Sequence, residues 1–180
     1  NLFENVRKQG ALNLDGSSYS EVHDNASLDM TDAITLEAWV YAEADSLNKG
    51  ILGKWDFGGA KMSYLLIRSS NGSLRFYTSA TGSTTTFAST TTTITNKNWY
   101  HIVGTDNGTN LTIYLNGGVE TTSASWGSIY ESNKDLEVGR HGYQTGYNTN
   151  AQIAQPRIYN RALTNEEIQR NYNAGKNIYS

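Results

Sequence analysis

Two stretches of this 180-residue chain mix aromatic rings, planar polar groups and glycine. One is Lys54-Trp55-Asp56-Phe57-Gly58-Gly59. The other is Arg140-His141-Gly142-Tyr143-Gln144-Thr145-Gly146-Tyr147-Asn148. Sugar recognition needs this mixture: ring CH groups stack on an aromatic face while planar polar groups bond the hydroxyls, both projected from loops on a rigid scaffold. In the second stretch glycine permits close approach and the Tyr rings offer platforms. The candidate binding residues are therefore His141, Tyr143, Gln144, Tyr147 and Asn148, with Trp55 and Asp56 from the first stretch. Each ring has a structural role to set against this. Tyr143 and Tyr147 serve equally to cover a sheet edge or an oligomer contact, and Trp55 reads first as core packing. Trp39 and Trp99 are assigned to the core, and Trp126 is left open.

Other chemistry finds less support. His23, His101 and His141 have neither HExxH nor close-paired spacing, and there is no GxSxG elbow or Walker loop. Glu37 lies on a strong strand and reads as a buried structural carboxylate paired to His101 or Arg157. The chain has no cysteine, which removes disulfides and thiolate metal sites. A net charge of −3 leaves no basic footprint for nucleic acid. No apolar run approaches the ~20 residues of a membrane-spanning helix, so no membrane insertion is expected. The chain begins at Asn1 without methionine, as a processed or excised piece would. Sequons start at Asn25, Asn71, Asn107 and Asn110, a chance yield in a chain this rich in Asn and Thr.

The elements that must position the two loops read as strands. Ile34 to Tyr41 carries bulk on both faces, so it is expected at the centre of a sheet covered on both sides. Ala11 to Leu14 ends at Asp15-Gly16, with Tyr19 to Val22 pairing after it. Gly50 to Trp55 leads into the first loop. Ser63 to Ser69 and Leu74 to Thr78 flank Asn71-Gly72, which predicts a type I′ hairpin. Thr84 to Thr95 reads as an edge strand and solvated loop. Trp99 to Thr105 and Leu111 to Leu115 form a further hairpin, and Leu136 to Gly139 is short. Pro156 marks an edge or bulge in the last strand. Short strands with Asn-Gly turns and no interior helix argue for an antiparallel sandwich or barrel. Only the end changes period. Thr164 with Glu167 has capping-box spacing, Leu163 can staple against Ile168, and Gly175 supplies a stop. A helix over 164–174 must pack its Leu163, Ile168, Tyr172 stripe on the sandwich, as a lid over a sheet end or edge.

In order along the chain stand ALNLDGSSYSEV, AITLEAWVY, NWYHIVGT, LTIYLNGG, EVGR and RIYNRALTNEEI. Together they resemble the concanavalin A-like, laminin G-type jelly-roll lectin domains, over Ala11 to Ala174. The resemblance implies an all-β fold, a two-sheet antiparallel jelly-roll sandwich with one short C-terminal helix. Residues 1–10 would be a lead-in and 11–180 a single domain. It also implies a glycan partner and, in some members, a calcium ion. The ending AQIAQPRIYNRALTNEEIQRNYNAGK looks like the variant found in structural proteins of marine tailed bacteriophages. Cellular relatives often carry a calcium-holding acid after the Ile of this strand; here Ile153 is followed by Ala154. Asp15 is the nearest candidate metal ligand.

The same jelly roll hosts glycoside hydrolases, which need two carboxylates about 5 Å apart for retention or further apart for inversion. The ExDxxE strand of laminarinase-like relatives is absent. Glu43 and Asp45 have its first spacing, followed by Asn48, in a loop; Asp135 and Glu137 share a strand face alone. The expectation is a non-catalytic, glycan-recognising module on a virion or cell surface, with a homo-oligomer within reach. The alternatives are a purely structural or oligomerising module of a phage particle, or an accessory domain of a secreted carbohydrate-active enzyme.

Overall fold

The computed structural model describes residues 10–43, 46–142 and 145–179. Asp45, Tyr143, Gln144 and nearly all of the 1–10 lead-in lie outside the described residues. The strands are β1 Ala11–Asp15, β2 Ser20–Val22, β3 Ile34–Ala42, β4 Lys49–Lys54, β5 Tyr64–Arg68, β6 Ser73–Ser79, β7 Thr85–Thr93, β8 Trp99–Asp106, β9 Asn110–Leu115, β10 Gly118–Ala124, β11 Leu136–Val138 and β12 Asn150–Tyr159. One helix, α1 Asn165–Gly175, follows.

Two six-stranded sheets run β1-β12-β3-β8-β9-β10 and β2-β11-β4-β5-β6-β7. The pairings are antiparallel. The two-sheet antiparallel jelly-roll sandwich with one C-terminal helix is therefore the fold. The core between the sheets follows from alternation. Ile34, Leu36, Ala38 and Val40 of β3 face Tyr64 and Leu66 of β5 and Leu74 and Phe76 of β6 within one buried cluster. β3 sits between β12 and β8, and its other face is buried too.

Several expectations need correction. β2 does not pair with β1. It adds to β11 at the edge of the other sheet, so the chain crosses between sheets within Gly16 to Tyr19. The turn at Asn71-Gly72 is not type I′. Gly72 has φ of 83° while Asn71 is absent from the positive-φ residues; its Oδ1 accepts the Ser73 N–H instead. The type I′ signature falls on Asn116-Gly117, with φ of 51° and 81°. Pro156 does sit at a bulge: β12 shifts register between Ala154 and Arg157, and Gln155 takes φ of 48°. β7, the Thr-rich strand, is an edge.

Helix α1 has both halves of its capping box. Thr164 Oγ1 accepts the Glu167 N–H, and Glu167 Oε2 accepts the Thr164 N–H. It lies on the outer face of the first sheet, where a lid over a sheet end or edge was expected. Leu163 and Ile168 pack on Val103 and Tyr114, and Tyr172 stacks on Trp39 at 5.7 Å. Gly175 is the last helical residue and no left-handed stop. A Cβ there would sit 2.5 Å from Trp39 Nε1, so glycine provides room for the indole.

Candidate functional site

The two ring-bearing loops meet on the outer face of the second sheet. The first leaves β4 beside Lys54, whose buried ammonium pairs with Asp24 and Asp29 at 2.6 Å each. The second follows β11. Gly50 lets them approach: a Cβ there would fall 2.4 Å from the Arg140 carbonyl oxygen. The Gly142 N–H then donates to the Trp55 carbonyl at 2.7 Å and locks one loop to the other. Between them lies a cleft of about 190 Å³ lined by Asn48, Trp55, Phe57, Leu65, Ile67, Tyr77, Thr85, His141 and Tyr147. Leu65, Ile67 and Tyr77 form the floor and pack with Trp55 as a cluster separate from the main core.

The walls are rings in mutual contact. His141 and Tyr147 lie 4.5 Å apart. Phe57 meets Trp55 edge-on at 6.1 Å and His141 at 5.8 Å. Trp55 and Tyr77 are 5.6 Å apart, and Tyr77 continues to the exposed Phe87 at 5.0 Å. Among the described residues no lining side chain is a carboxylate. A larger groove of about 460 Å³ runs between α1 and the β9–β10 turn, but among the described residues no ring lines it.

Burial, with the nearby Lys49 charge, pushes the His141 imidazole down to about 4 from 6.5. It is neutral at pH 7. The unfolded chain takes up a proton through this window that the folded protein refuses. The contribution is complete above pH 6.5 and lost as pH falls toward 4, reaching up to about 3 kcal/mol. Melts of the parent and His141→Gln across pH 4–7 should show the parent losing stability relative to the variant as pH falls. A difference constant across that range would contradict it.

A family model described as the concanavalin A-like lectin/glucanases superfamily, of laminin G type, matches residues 14–169. The chain belongs to this superfamily. Among solved structures, domain 4 of AbnA, a GH43 extracellular arabinanase from Geobacillus stearothermophilus in complex with arabinotriose, is 17% identical with TM-score 0.70, over 94% of this chain and 76% of that one. The binding domain of Paraclostridial Mosquitocidal Protein 1 is 18% identical with TM-score 0.70, over 93% and 46%. The Botulinum neurotoxin serotype D ligand binding domain in complex with N-acetylneuraminic acid is 15% identical with TM-score 0.67, over 91% and 41%. The chain spans less than half of these toxin domains, and at such identities what is shared is the fold. No curated protein matches the chain in sequence.

In this concanavalin A-like chain the predicted residues divide. Trp55, His141 and Tyr147 reach the cleft. Asp56 does not line it: its Oδ1 accepts the Gly58 N–H and shapes the loop. Asn148 is turned away, donating to the Ser17 carbonyl at 2.7 Å. Tyr143 and Gln144 lie outside the described residues. Sequence reasoning missed the floor and Tyr77. The signal was the unbroken run Tyr64-Leu65-Leu66-Ile67, which asks for cover on both faces of β5. Trp99 is only half-buried and packs on Tyr179, outside the main core.

Glu37, Glu137 and Asp135 do not line the cleft and have partners of their own. Glu37 is 1% exposed and meets His101 Nε2 at 2.9 Å, Arg157 at 3.3 Å, the Tyr159 hydroxyl at 3.0 Å and Asn171 at 2.9 Å. Burial alone would raise its pKa; His101, Arg157 and Tyr159 hold it below the ordinary value. Glu137 is buried against Lys134 at 2.7 Å and Arg140, while Asp135, outside β11, pairs with His23 at 3.5 Å.

Among the described residues Asp15 joins no group of three or more potential metal ligands, and calcium takes six to eight oxygens. Asp15 Oδ1 already accepts the N–H and hydroxyl of both Ser17 and Ser18 at 2.8–3.0 Å, led by the Ser17 N–H, and these hold the carboxyl far below its usual range. Ala154 is fully buried against Trp39 and Tyr179. Glu21, His23 and Asp135 bring ligand atoms within 4.8 Å on the exposed β2–β11 edge, too few donors for calcium.

Proposed function

We propose that the chain is a single-domain, non-catalytic carbohydrate-binding module whose glycan sits in the cleft between the Trp55–Phe57 and His141–Tyr147 loops. The convergence of rings from two distant segments on one apolar-floored cleft carries this reading. Ring faces offer the stacking surface, and Asn48 and Thr85 at the mouth offer hydrogen bonds. The exposed Phe87 beyond Tyr77 extends the ring surface for the rest of a glycan. Fold relatives support it: one structure holds arabinotriose and another N-acetylneuraminic acid.

A hydrolase would need a carboxylate pair across the sugar. The described residues of the cleft lining offer none, and Glu37 and Glu137 are committed elsewhere. Among the described residues no helix is long and apolar enough to cross a membrane. Display on a virion or other extracellular surface, within a larger and oligomeric assembly, is the setting that the phage-like tail supports.

A glycan array with calcium and with chelator tests the reading. Neutral glycans are expected to bind equally in both. Tyr147→Ala should weaken binding about tenfold by removing a stacking wall. Failure of every glycan to bind would move the assignment to a structural module, and the solution mass would then report its oligomer.

A further inference from the structure

We propose that the cleft takes one uncharged sugar ring at a chain end and recognises an acetamido group on it, as in an N-acetylhexosamine. This rests on the glycan reading above. Size is the first argument. About 190 Å³ falls below the roughly 300–1,000 Å³ of pockets that enclose drug-sized ligands, so the space suits a ring and not an internal chain segment. Charge is the second: among the described residues no lining side chain is ionised at neutral pH, His141 being neutral and the others uncharged by nature.

The third argument is chemical. Trp55 and His141 are each 2% exposed, and Trp55 Nε1 and His141 Nδ1 are buried without a hydrogen-bond partner. Indole nitrogen can only donate. Imidazole Nδ1 accepts when the proton is on Nε2. Beside them lies the apolar floor of Leu65 and Ile67. A site with one unmet donor, one available acceptor and an apolar floor complements a group bearing a carbonyl, an N–H and a methyl. The acetamido substituent has all three. A plain hexose lacks the methyl, and a deoxy sugar lacks the carbonyl and N–H. Phe57 packs edge-on against both rings at 84° and 75° and is 62% exposed. Both nitrogens are buried, so in this proposal the exposed Phe57 ring, packed on both side chains, must turn aside for the acetamido group to reach them.

Calorimetric titration of the folded chain with methyl glycosides of N-acetylglucosamine and N-acetylgalactosamine, against those of glucose and galactose, tests this. An acetamido sugar is expected to bind at least about tenfold more tightly than its parent hexose, the weight of one buried hydrogen bond left unmade. Trp55→Phe keeps a ring and removes the donor, so the ratio of acetamido-sugar to parent-hexose affinity should fall to about one, whatever happens to either affinity alone; His141→Phe serves in its place if that variant does not melt cooperatively. Equal wild-type affinity for both classes, with Tyr147→Ala weakening both, would overturn the acetamido assignment and leave the glycan cleft standing. No binding by any of the four sugars, nor by any array glycan, would overturn both.

Discussion

Gly104→Ala is expected to destabilise the fold by about 3 kcal/mol, at the upper end for an overpacked core. Gly104 lies on β8 opposite Leu36 of β3 and Ile113 of β9. An added Cβ would stand 2.3 Å from Phe76 Cγ and 2.6 Å from its Cβ. Phe76 is fully buried on β6, between β5 and β7 in the other sheet. Both strands are interior, so neither backbone can retreat without breaking a ladder. Gly104 is not among the positive-φ residues, so space and not backbone conformation demands glycine. A melting temperature lower by roughly 6–12 °C should follow for a chain of this size. Removing the opposing ring tests the cause: Phe76→Ala, which deletes Cγ, with Gly104→Ala should cost clearly less than the sum of the two singles. Strict additivity would show that the contact with Phe76 is not the cause.

Lys54→Met should cost a similar amount, about 3 kcal/mol. The Lys54 side chain is fully buried and its ammonium meets Asp24 and Asp29, whose side chains are 33% and 15% exposed. Removing the cation leaves two carboxylates close together with no counter-charge. Their partial hydration holds the cost near the lower end of that for breaking a buried pair. The triple variant Lys54→Met, Asp24→Asn, Asp29→Asn should recover most of the loss, because no charge is then left unpaired. Urea midpoints at constant m-value would measure both. A single-variant loss below about 1 kcal/mol would place this cluster among ordinary surface pairs. Because Trp55 is next in the chain, Lys54→Met should weaken glycan binding as well as stability.

Wherever the physics is local, the residues announced the structure. Alternation in Ile34 to Tyr41 specified a strand buried on both faces, and the Thr164–Glu167 spacing specified the helix start. Pro156, which cannot donate to a ladder, located a bulge. Glu37 was readable as a structural carboxylate because a charge on a doubly covered strand must find partners. The two ring-bearing loops were readable from composition. Nothing local shows that they meet; that depends on β11 lying beside β4, on Gly50 admitting the Arg140 backbone and on the Gly142 N–H reaching the Trp55 carbonyl. Nor could sequence separate Trp55, which reaches the cleft, from Asp56, which holds its own loop. Adjacent residues differ only in where the fold points them. Strand periods, caps and turn chemistry act over a few residues and are written in the chain. The cleft, the fate of each polar group in it and the sheet face under α1 depend on contacts between residues far apart in sequence, and only the tertiary structure decided them.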